Sequence, residues 1–260
     1  MNLLIVNGYD KKGWSRLAKY RIQPICEFYR DQLKKINSKI KTKFIYPSMN
    51  LNENYGDDFF KYFDGIVWTG SSLNIYDNTK EIKNQISLMK KISKLPIKTF
   101  GSCWGMQLFT VCNGGSVTKN KKGREIGISF NVSLNKKGLI HKMYQNKPRI
   151  FDAFASHIDH VTSLPKKSVS LSDNHYSIQS LSTKYFWGTQ YHPEFNFKYT
   201  GQILNARKNI LLDEKLFSKN QIENLILDFK KPSKESYSAS LSNFKIRTNE
   251  LSNWLKYLKK

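Results

Sequence analysis

Residues 97–107 read Ile-Lys-Thr-Phe-Gly-Ser-Cys-Trp-Gly-Met-Gln, and this stretch decides the fold. Its first four residues, Ile97 to Phe100, predict a buried strand, and a helix is predicted to begin just after Cys103. The cysteine therefore lies on a sharp strand-to-helix turn, where Gly101 and Gly105 leave out side chains that would clash in the bend. A nucleophile on such a turn stands clear of the sheet.

Cys103 has the sequence surroundings of a nucleophile. The N-terminus of the following helix offers free N–H groups and the positive end of the helix dipole, which favour the thiolate form of the side chain. The backbone N–H of Trp104 can stabilise an oxyanion that forms when the sulfur attacks a carbonyl. A free cysteine is also often a small buried hydrophobic residue, so the turn alone leaves both interpretations open.

A nucleophilic cysteine needs a base, and His192 in the run Tyr191-His192-Pro193-Glu194 is the candidate. In an extended segment, residues two apart project to the same side, so Glu194 can hold one ring nitrogen while Pro193 stiffens the link. The other nitrogen is then free to take the thiol proton. In isolation, His-Pro-Glu could equally be a turn. The other histidines are His141, His157, His160 and His175.

Strands and helices alternate along the first half of the chain, which is typical of an α/β fold with a doubly wound, mostly parallel sheet and helices on both faces. Predicted strands cover Leu3–Asn7, Phe44–Tyr46, Gly65–Trp68 and Ile97–Phe100, and predicted helices cover Tyr20–Ile36 and Thr79–Ser93. Shorter strands are predicted after residue 115, at Gly127–Leu134, Ile150–Ala155, Val169–Leu171, Ser177–Leu181 and Phe186–Tyr191.

From residue 196 onward the chain is predicted to be helical again. Ser218 and Gln221 have the spacing of a capping box at a helix start, and Lys230–Ser242 predicts a loop or linker. The last segment is an amphipathic helix, expected to pack on the body rather than to recruit a partner. Its apolar residues are Leu251, Trp254, Leu255 and Leu258. We therefore expect a catalytic domain over residues 1–195 and a helical C-terminal extension over residues 196–260.

Composition excludes several classes of protein. The 260 residues are 39% hydrophobic, enough for a sizeable core, and no apolar run approaches the roughly 18 residues of a membrane helix. The net charge of +23 comes from 36 lysines and seven arginines spread along the chain, which indicates a solvated surface rather than a nucleic-acid interface. Three cysteines without CxxC spacing argue against a disulfide framework or a zinc ribbon. A cytoplasmic protein that binds neither membrane nor nucleic acid is expected.

Several segments resemble the class I glutamine amidotransferases. In chain order they are Gly101–Gln107 (G-x-C-x-G-x-Q), Gly114-Gly115 (G-G-x-V), Arg124–Gly127 (R-E-x-G), Ser156–Pro165 (S-H-x-D-x-V…L-P, as in the amidotransferase domain of GMP synthase) and Trp187–Glu194 (the closing strand and H-P-E). The resemblance runs from about residue 3 to 195, with the segments in the family order. It implies a triad of Cys103, His192 and Glu194. Cys103 would attack the side-chain amide of glutamine, release ammonia and leave a γ-glutamyl thioester that water cleaves.

The resemblance also implies a substrate pocket. Gly70 lies where the family places a second oxyanion donor, but the usual S-G-G-P reads Thr-Gly-Ser-Ser here, and Ser71 could not easily adopt a positive φ. Gln107 occupies a position that lines the glutamine pocket, the alternative being an ordinary helix-surface glutamine. His157 and Asp159 are expected to be pocket or supporting groups rather than catalysts.

No cofactor or metal is implied. The histidines are scattered, no Cys/His/Asp cluster has ligand spacing, and the chain has neither a GxxxxGK[ST] loop nor an S-G-G-x-D-S pyrophosphatase loop. Activation of an acceptor by ATP is therefore not encoded in these residues.

Three functional hypotheses remain open. The first is an amidotransferase that passes ammonia from glutamine to a separate synthetase partner. The second is a stand-alone γ-glutamyl hydrolase or peptidase that acts on other γ-glutamyl amides; plant γ-glutamyl peptidases have a similar H-P-E-(Y/F)-N ending, which Phe195-Asn196 matches. The third is a non-catalytic protein that binds through its basic surface, against which the intact Cys103, His192 and Glu194 argue.

Overall fold

The computed structural model describes residues 1–215, 217–232 and 237–258. Its first strand, β1 (Asn2–Val6), shows how the core is organised. Leu3 and Ile5 project into one apolar cluster, Leu4 and Val6 project into another, and all four side chains are fully buried. A strand that is apolar on both faces must lie inside a sheet that is covered on both sides.

The strands are β1 (Asn2–Val6), β2 (Lys41–Ile45), β3 (Gly65–Trp68), β4 (Thr99–Ser102), β5 (Ser116–Lys119), β6 (Glu125–Leu134), β7 (Ile150–His157), β8 (Asp159–Ser163), β9 (Val169–Asp173), β10 (Ile178–Ser182) and β11 (Phe186–Thr189). The α-helices are α1 (Lys11–Lys19), α2 (Ile25–Ile36), α3 (Asp57–Phe60), α4 (Lys80–Ile92), α5 (Trp104–Cys112), α6 (Lys136–Ile140), α7 (Phe197–Ala206), α8 (Lys208–Asp213), α9 (Lys219–Lys230), α10 (Ala239–Ser242), α11 (Phe244–Arg247) and α12 (Asn249–Leu258). A short 3-10 helix covers Lys142–Tyr144.

Nine strands form one sheet in the order β2-β1-β3-β4-β11-β10-β9-β6-β7, and β5 pairs with β8 in a separate ribbon. The run from β2 to β11 is parallel throughout, and the strands beyond β11 continue it in antiparallel pairs. The carboxyl ends of the parallel strands meet at one edge, where ligands bind in open α/β sheets. The predicted fold class is confirmed.

Helices cover both faces of the parallel run. The cluster around Leu3 and Ile5 includes Tyr29 and Leu33 of α2, and the cluster around Leu4 and Val6 includes side chains of α4 and α5. Trp254 of α12 joins the first cluster and is buried. Helix α12 therefore shares its apolar cluster with α2.

A third cluster joins the C-terminal segment to the antiparallel strands. Tyr199 and Ile203 of α7 and Phe229 of α9 pack there with Ile128 of β6 and Phe154 of β7. The predicted capping box begins α9: the Ser218 hydroxyl accepts from Gln221 N, and the Gln221 side chain accepts from Ser218 N. These helices are thus held by the same core as the sheet.

Some predicted boundaries were wrong. The helix predicted from residue 20 begins at Ile25, because Pro24 serves as its N-cap and Arg21 has a φ of 52°. Helix α1 and the ribbon of β5 and β8 were not predicted. Within the predicted loop of Lys230–Ser242, residues 233–236 lie outside the described residues. None of the helices in the described ranges is both long and apolar enough to cross a membrane.

Candidate active site

The turn between β4 and α5 carries Cys103. The cysteine has φ 50° and ψ −99°, a left-handed conformation that costs a non-glycine residue energy and recurs at functional sites. Its N–H donates to the Thr189 carbonyl at 2.7 Å, so the turn is fastened to β11. The two glycines leave room for the bend, since a Cβ on Gly101 would lie 2.7 Å from the carbonyl carbon of Gly105.

The parallel pairing of β4 with β11 brings the distant histidine to this turn. Ser102, the last residue of β4, is opposite Thr189, the last residue of β11. Cys103 and His192 follow these two residues at the same edge of the sheet, where their side chains are close enough to interact electrostatically. The parallel pairing therefore brings the predicted nucleophile and the predicted base to the same edge of the sheet.

A buried chain of hydrogen bonds extends behind His192. Its Nδ1 donates to Glu194 Oε1 at 2.7 Å, and the Ser102 hydroxyl donates to Glu194 Oε2 at 3.0 Å. Because the Ser102 proton is used in this way, the Tyr29 hydroxyl donates to Ser102 Oγ, at 3.1 Å. The carboxylate is thus fixed by two donors, and it fixes the imidazole in turn.

The electrostatic surroundings of His192 favour its protonated form. Burial by itself lowers the pKa of His192, but the charge of Glu194 and the hydrogen bond with Cys103 outweigh it and raise the pKa to about 10. The ring also stacks on Phe195, with centroids 4.0 Å apart and planes at 9°. At neutral pH the histidine is therefore an imidazolium held in one orientation.

The two predicted oxyanion donors are Trp104, which directly follows Cys103, and Gly70, which lies against His192. Trp104 is the first residue of α5, so its N–H has no acceptor within the helix. A Cβ on Gly70 would lie only 2.7 Å from His192 Cε1, which shows that the loop after β3 passes directly against the imidazole. Neither Gly70 nor Ser71 has a positive φ, so serine is accommodated at position 71. The Ser71 hydroxyl donates to the Gly8 carbonyl at 2.8 Å.

Gln107 is buried in the cleft beside Cys103, so the alternative of a helix-surface glutamine is wrong. Its amide donates to the Asp159 carbonyl at 3.0 Å and to Gln190 Oε1 at 3.2 Å. The Gln190 amide in turn contacts Cys103 Sγ at 3.5 Å. The side chains of Gln107 and Gln190 therefore form a hydrogen-bonded pair that contacts the Cys103 sulfur.

His157 and Asp159 also line this cleft. His157 Nδ1 lies 3.0 Å from the Asp159 carbonyl, and Nε2 lies 2.8 Å from Glu125 Oε2, so both ring nitrogens have hydrogen-bond partners. Burial alone would raise the pKa of Glu125, but its hydrogen bond with His157 and the charge of that ring hold it below the ordinary value. The Asp159 carboxylate accepts from the Tyr76 hydroxyl at 3.0 Å.

Two arginines complete the cleft, and one of them comes from the C-terminal segment. Arg124 and Arg207 both line it together with Cys103. Arg124 forms a bidentate ion pair with Glu214, in which Nε donates to Oε2 at 2.7 Å. Arg207 Nη1 donates to the Ser156 hydroxyl at 3.1 Å. Residues after position 195 thus form part of the wall around the cysteine.

Sequence reasoning assigned no role to several of these groups. Ser102 and Gln190 stand beside predicted site residues, and their polarity at the end of buried strands was the available signal. Tertiary packing alone brings Tyr29, Arg124 and Arg207 to the site. The resemblance included the segment that begins at Arg124 but gave this residue no role. Within the described ranges, no group of three or more His, Cys, Asp or Glu side chains is placed to hold a metal ion.

Residues 29–210 match the family model of glutamine amidotransferase class-I. The chain belongs to this family. Among amidotransferases and their relatives, it is 28% identical to a γ-glutamyl-L-1-hydroxyisopropylamide hydrolase of a Pseudomonas species, over 99% of this chain and 93% of that protein. It is 30% identical to γ-glutamyl peptidase 4 of Arabidopsis thaliana, over 54% of this chain and 56% of that protein. Identity to the GMP synthase of Spiroplasma kunkelii is 26%, over 54% of this chain and 26% of that protein.

Solved amidotransferase structures share the fold. A glutamine amidotransferase of Thermotoga maritima superposes with a TM-score of 0.68 at 17% identity, covering 99% of this chain and 97% of that one. A glutamine amidotransferase of Methylobacillus flagellatus gives a TM-score of 0.60 at 15% identity, covering 99% and 92% of the two chains. The class I amidotransferase fold therefore includes the C-terminal helices of this chain.

Proposed function

We propose that this protein is a stand-alone γ-glutamyl hydrolase, which cleaves γ-glutamyl amides through a triad of Cys103, His192 and Glu194. The observation that carries the proposal is the extent of the match to the Pseudomonas hydrolase, which spans 99% of this chain and 93% of that protein. The matches to plant γ-glutamyl peptidase and to GMP synthase each span 54% of this chain. The longer match includes the segment after residue 195, which supplies Arg207 to the cleft and Glu214 to the ion pair with Arg124.

The first half of the reaction forms a thioester. The Cys103 thiolate attacks the γ-carbonyl carbon of the substrate, and the carbonyl π electrons move onto oxygen. The N–H groups of Trp104 and Gly70 stabilise this oxyanion. When the carbonyl re-forms, the C–N bond breaks and the His192 imidazolium gives its Nε2 proton to the departing amine.

The second half releases glutamate. After the amine departs, His192 is neutral and takes a proton from water, which attacks the thioester carbonyl. The C–S bond then breaks, and Cys103 leaves as the thiolate beside a newly formed imidazolium. Glu194 keeps Nδ1 protonated throughout, because its carboxylate accepts from that nitrogen at 2.7 Å.

The relatives favour this self-sufficient hydrolase over the amidotransferase that passes ammonia to a synthetase partner. Glutamine is itself a γ-glutamyl amide, so the same triad can cleave it. What separates the two hypotheses is whether conjugates with larger amines turn over in the absence of any partner.

Glutamate release by the purified protein tests the proposal. The substrates are L-glutamine, γ-glutamyl-L-1-hydroxyisopropylamide and a small set of γ-glutamyl dipeptides, with Cys103→Ala as the blank. We expect kcat/KM for at least one conjugate to exceed that for glutamine by tenfold or more. Slow glutamine turnover with untouched conjugates would contradict the proposal and support the ammonia-supplying alternative.

We further propose that residues 1–195 form the catalytic domain and that residues 196–260 are an extension integral to it. The support is the burial of Leu251 and Trp254 in the same cluster as Leu3, together with the place of Arg207 in the cleft. A chain truncated after residue 195 should therefore be insoluble or unfolded, as measured by circular dichroism.

The raised pKa of His192 sets the alkaline limit of activity. Because the imidazolium must protonate the departing amine, kcat/KM is expected to stay level above neutrality and to fall only as the pH rises through about 10. The same ionisation stabilises the folded state fully below the ordinary histidine pKa of 6.5, and this contribution is lost as the pH approaches 10. In the Glu194→Gln variant, the pH at which kcat/KM falls should move toward neutrality. A fall of the wild-type kcat/KM near pH 7, together with a melting temperature that does not change between pH 6.5 and about 10, would contradict this expectation.

Gly70→Ala should disturb the histidine directly. The new Cβ would lie 2.7 Å from His192 Cε1, and stacking on Phe195 leaves the ring little freedom to move away. We expect kcat to fall by about 10- to 100-fold, because a misplaced base costs roughly this much. The control is Gly56→Ala, where a Cβ meets nothing within 4 Å. Equal kcat in the two variants would show that the imidazole does not need this space.

A further inference from the structure

Arg207 is a cation without a carboxylate partner beside the candidate nucleophile. It lies between α7 and α8 and lines the cleft with Cys103 and Gln107. In the part of the chain that the structure describes, no carboxylate lies within 4 Å of its guanidinium, and its side-chain hydrogen bond is the one to Ser156. The buried Nε has no hydrogen-bond partner there.

Arg124 shows the contrast. The two arginines line the same cleft, but Arg124 is neutralised by the bidentate pair with Glu214. A partly desolvated guanidinium without such a pair is costly to keep. Burial lowers the pKa of Arg207, and the positive charge of Arg124 lowers it further. An anion bound in the cleft would relieve both costs.

The proposed substrate carries a suitable anion. A γ-glutamyl group that presents its γ-carbonyl to Cys103 places an α-carboxylate at its other end, within the same cleft. Guanidinium groups bind carboxylates through paired, charge-assisted hydrogen bonds. An amine leaving group such as ammonia or an amino alcohol offers no negative charge for this purpose.

We propose that Arg207 binds the α-carboxylate of the γ-glutamyl substrate and so selects glutamyl amides over amides that lack this group. The inference rests on the proposed function. It also gives the C-terminal segment a role, since that segment supplies the specificity residue. Arg207 is close enough to Cys103 for their charges to interact, so stabilisation of the thiolate is the competing role.

Two chromogenic amides separate these roles: γ-L-glutamyl-p-nitroanilide and 4-aminobutyryl-p-nitroanilide, which differ only in the α-carboxylate. The wild type should prefer the first by about 100-fold in kcat/KM, the cost of leaving one partner of a charged pair unmatched. Arg207→Met should lose about 100-fold on the first amide, mainly through KM, and stay within about twofold of wild type on the second. Arg207→Lys, which keeps the charge, should recover part of the loss.

The matched control is Lys208→Met, which removes one positive charge at the next position, where Lys208 pairs with Glu223. It should keep the wild-type preference, and melting temperatures should show that every variant is folded. An equal loss on both amides in Arg207→Met would overturn the inference in favour of thiolate stabilisation or a structural role, and an unchanged preference would overturn it outright. Absence of γ-glutamyl turnover in the wild type would refute the proposed function and this inference with it.

Discussion

Cys103→Ala should abolish turnover of γ-glutamyl amides, with a loss of at least about 10⁴-fold in kcat. Removal of a nucleophile from a triad costs this much because no other group can form the covalent intermediate. The fold should persist, since the substitution removes only a sulfur atom. The measurement is glutamate release at saturating substrate, with the near-ultraviolet circular dichroism of the variant compared with wild type.

Cys112→Ala is the matched control, because it removes a thiol from the far end of α5, where Cys112 Sγ contacts the Ile86 carbonyl. Its activity should equal wild type. Burial raises the pKa of Cys112 to about 12 and that of Cys26 to about 11, so both thiols stay protonated at neutral pH. Iodoacetamide should therefore label one residue, Cys103, and inactivate the enzyme in proportion. Release of glutamate by Cys103→Ala at the wild-type rate would refute the triad.

Glu250→Ala should cause a large loss of stability. The carboxylate of Glu250 accepts from the Tyr191 hydroxyl at 2.6 Å and from Lys147 Nζ at 3.1 Å, and the Lys147–Glu250 pair is almost wholly buried. Burial lowers the pKa of Lys147, and the negative charge of Glu250 opposes that shift. Removing the carboxylate leaves a buried ammonium without its counterion, which costs about 3–5 kcal/mol of unfolding free energy.

Urea denaturation at pH 7 measures this loss. Glu223→Ala, which breaks the more exposed pair with Lys208, is the control and should leave the midpoint nearly unchanged. The double variant Lys147→Met/Glu250→Leu should regain much of the stability, because it removes both charges together. A Glu250→Ala midpoint equal to that of Glu223→Ala would show that the buried pair does not hold α12. Glu250 also accepts from the hydroxyl of Tyr191, which directly precedes His192, so kcat of the Glu250→Ala variant is a second measurement.

Local sequence determined the turn of the candidate nucleophile and the pair of His192 and Glu194. Each depends on neighbours in the chain: Gly101 and Gly105 permit the bend, and Glu194 lies two residues after His192. The two side chains meet within a turn, closed by the Phe195 N–H donating to the His192 carbonyl at 3.2 Å, and not in the extended segment that the sequence predicted. The alternation of strands and helices likewise determined the α/β class, because hydrophobic periodicity is a local property. The strand Gly65–Trp68 was predicted with its observed bounds for the same reason.

Tertiary structure alone decided what surrounds those residues. Ser102 reaches Glu194, Gln190 reaches Cys103, and Arg207 reaches the cleft because strands and helices far apart in sequence pack side by side. The raised pKa of His192 is also a tertiary property, since burial and the charge of Glu194 act on it in the folded chain. Sequence patterns record which side chains can react, whereas the sheet order and the packing of the C-terminal helices decide which of them meet.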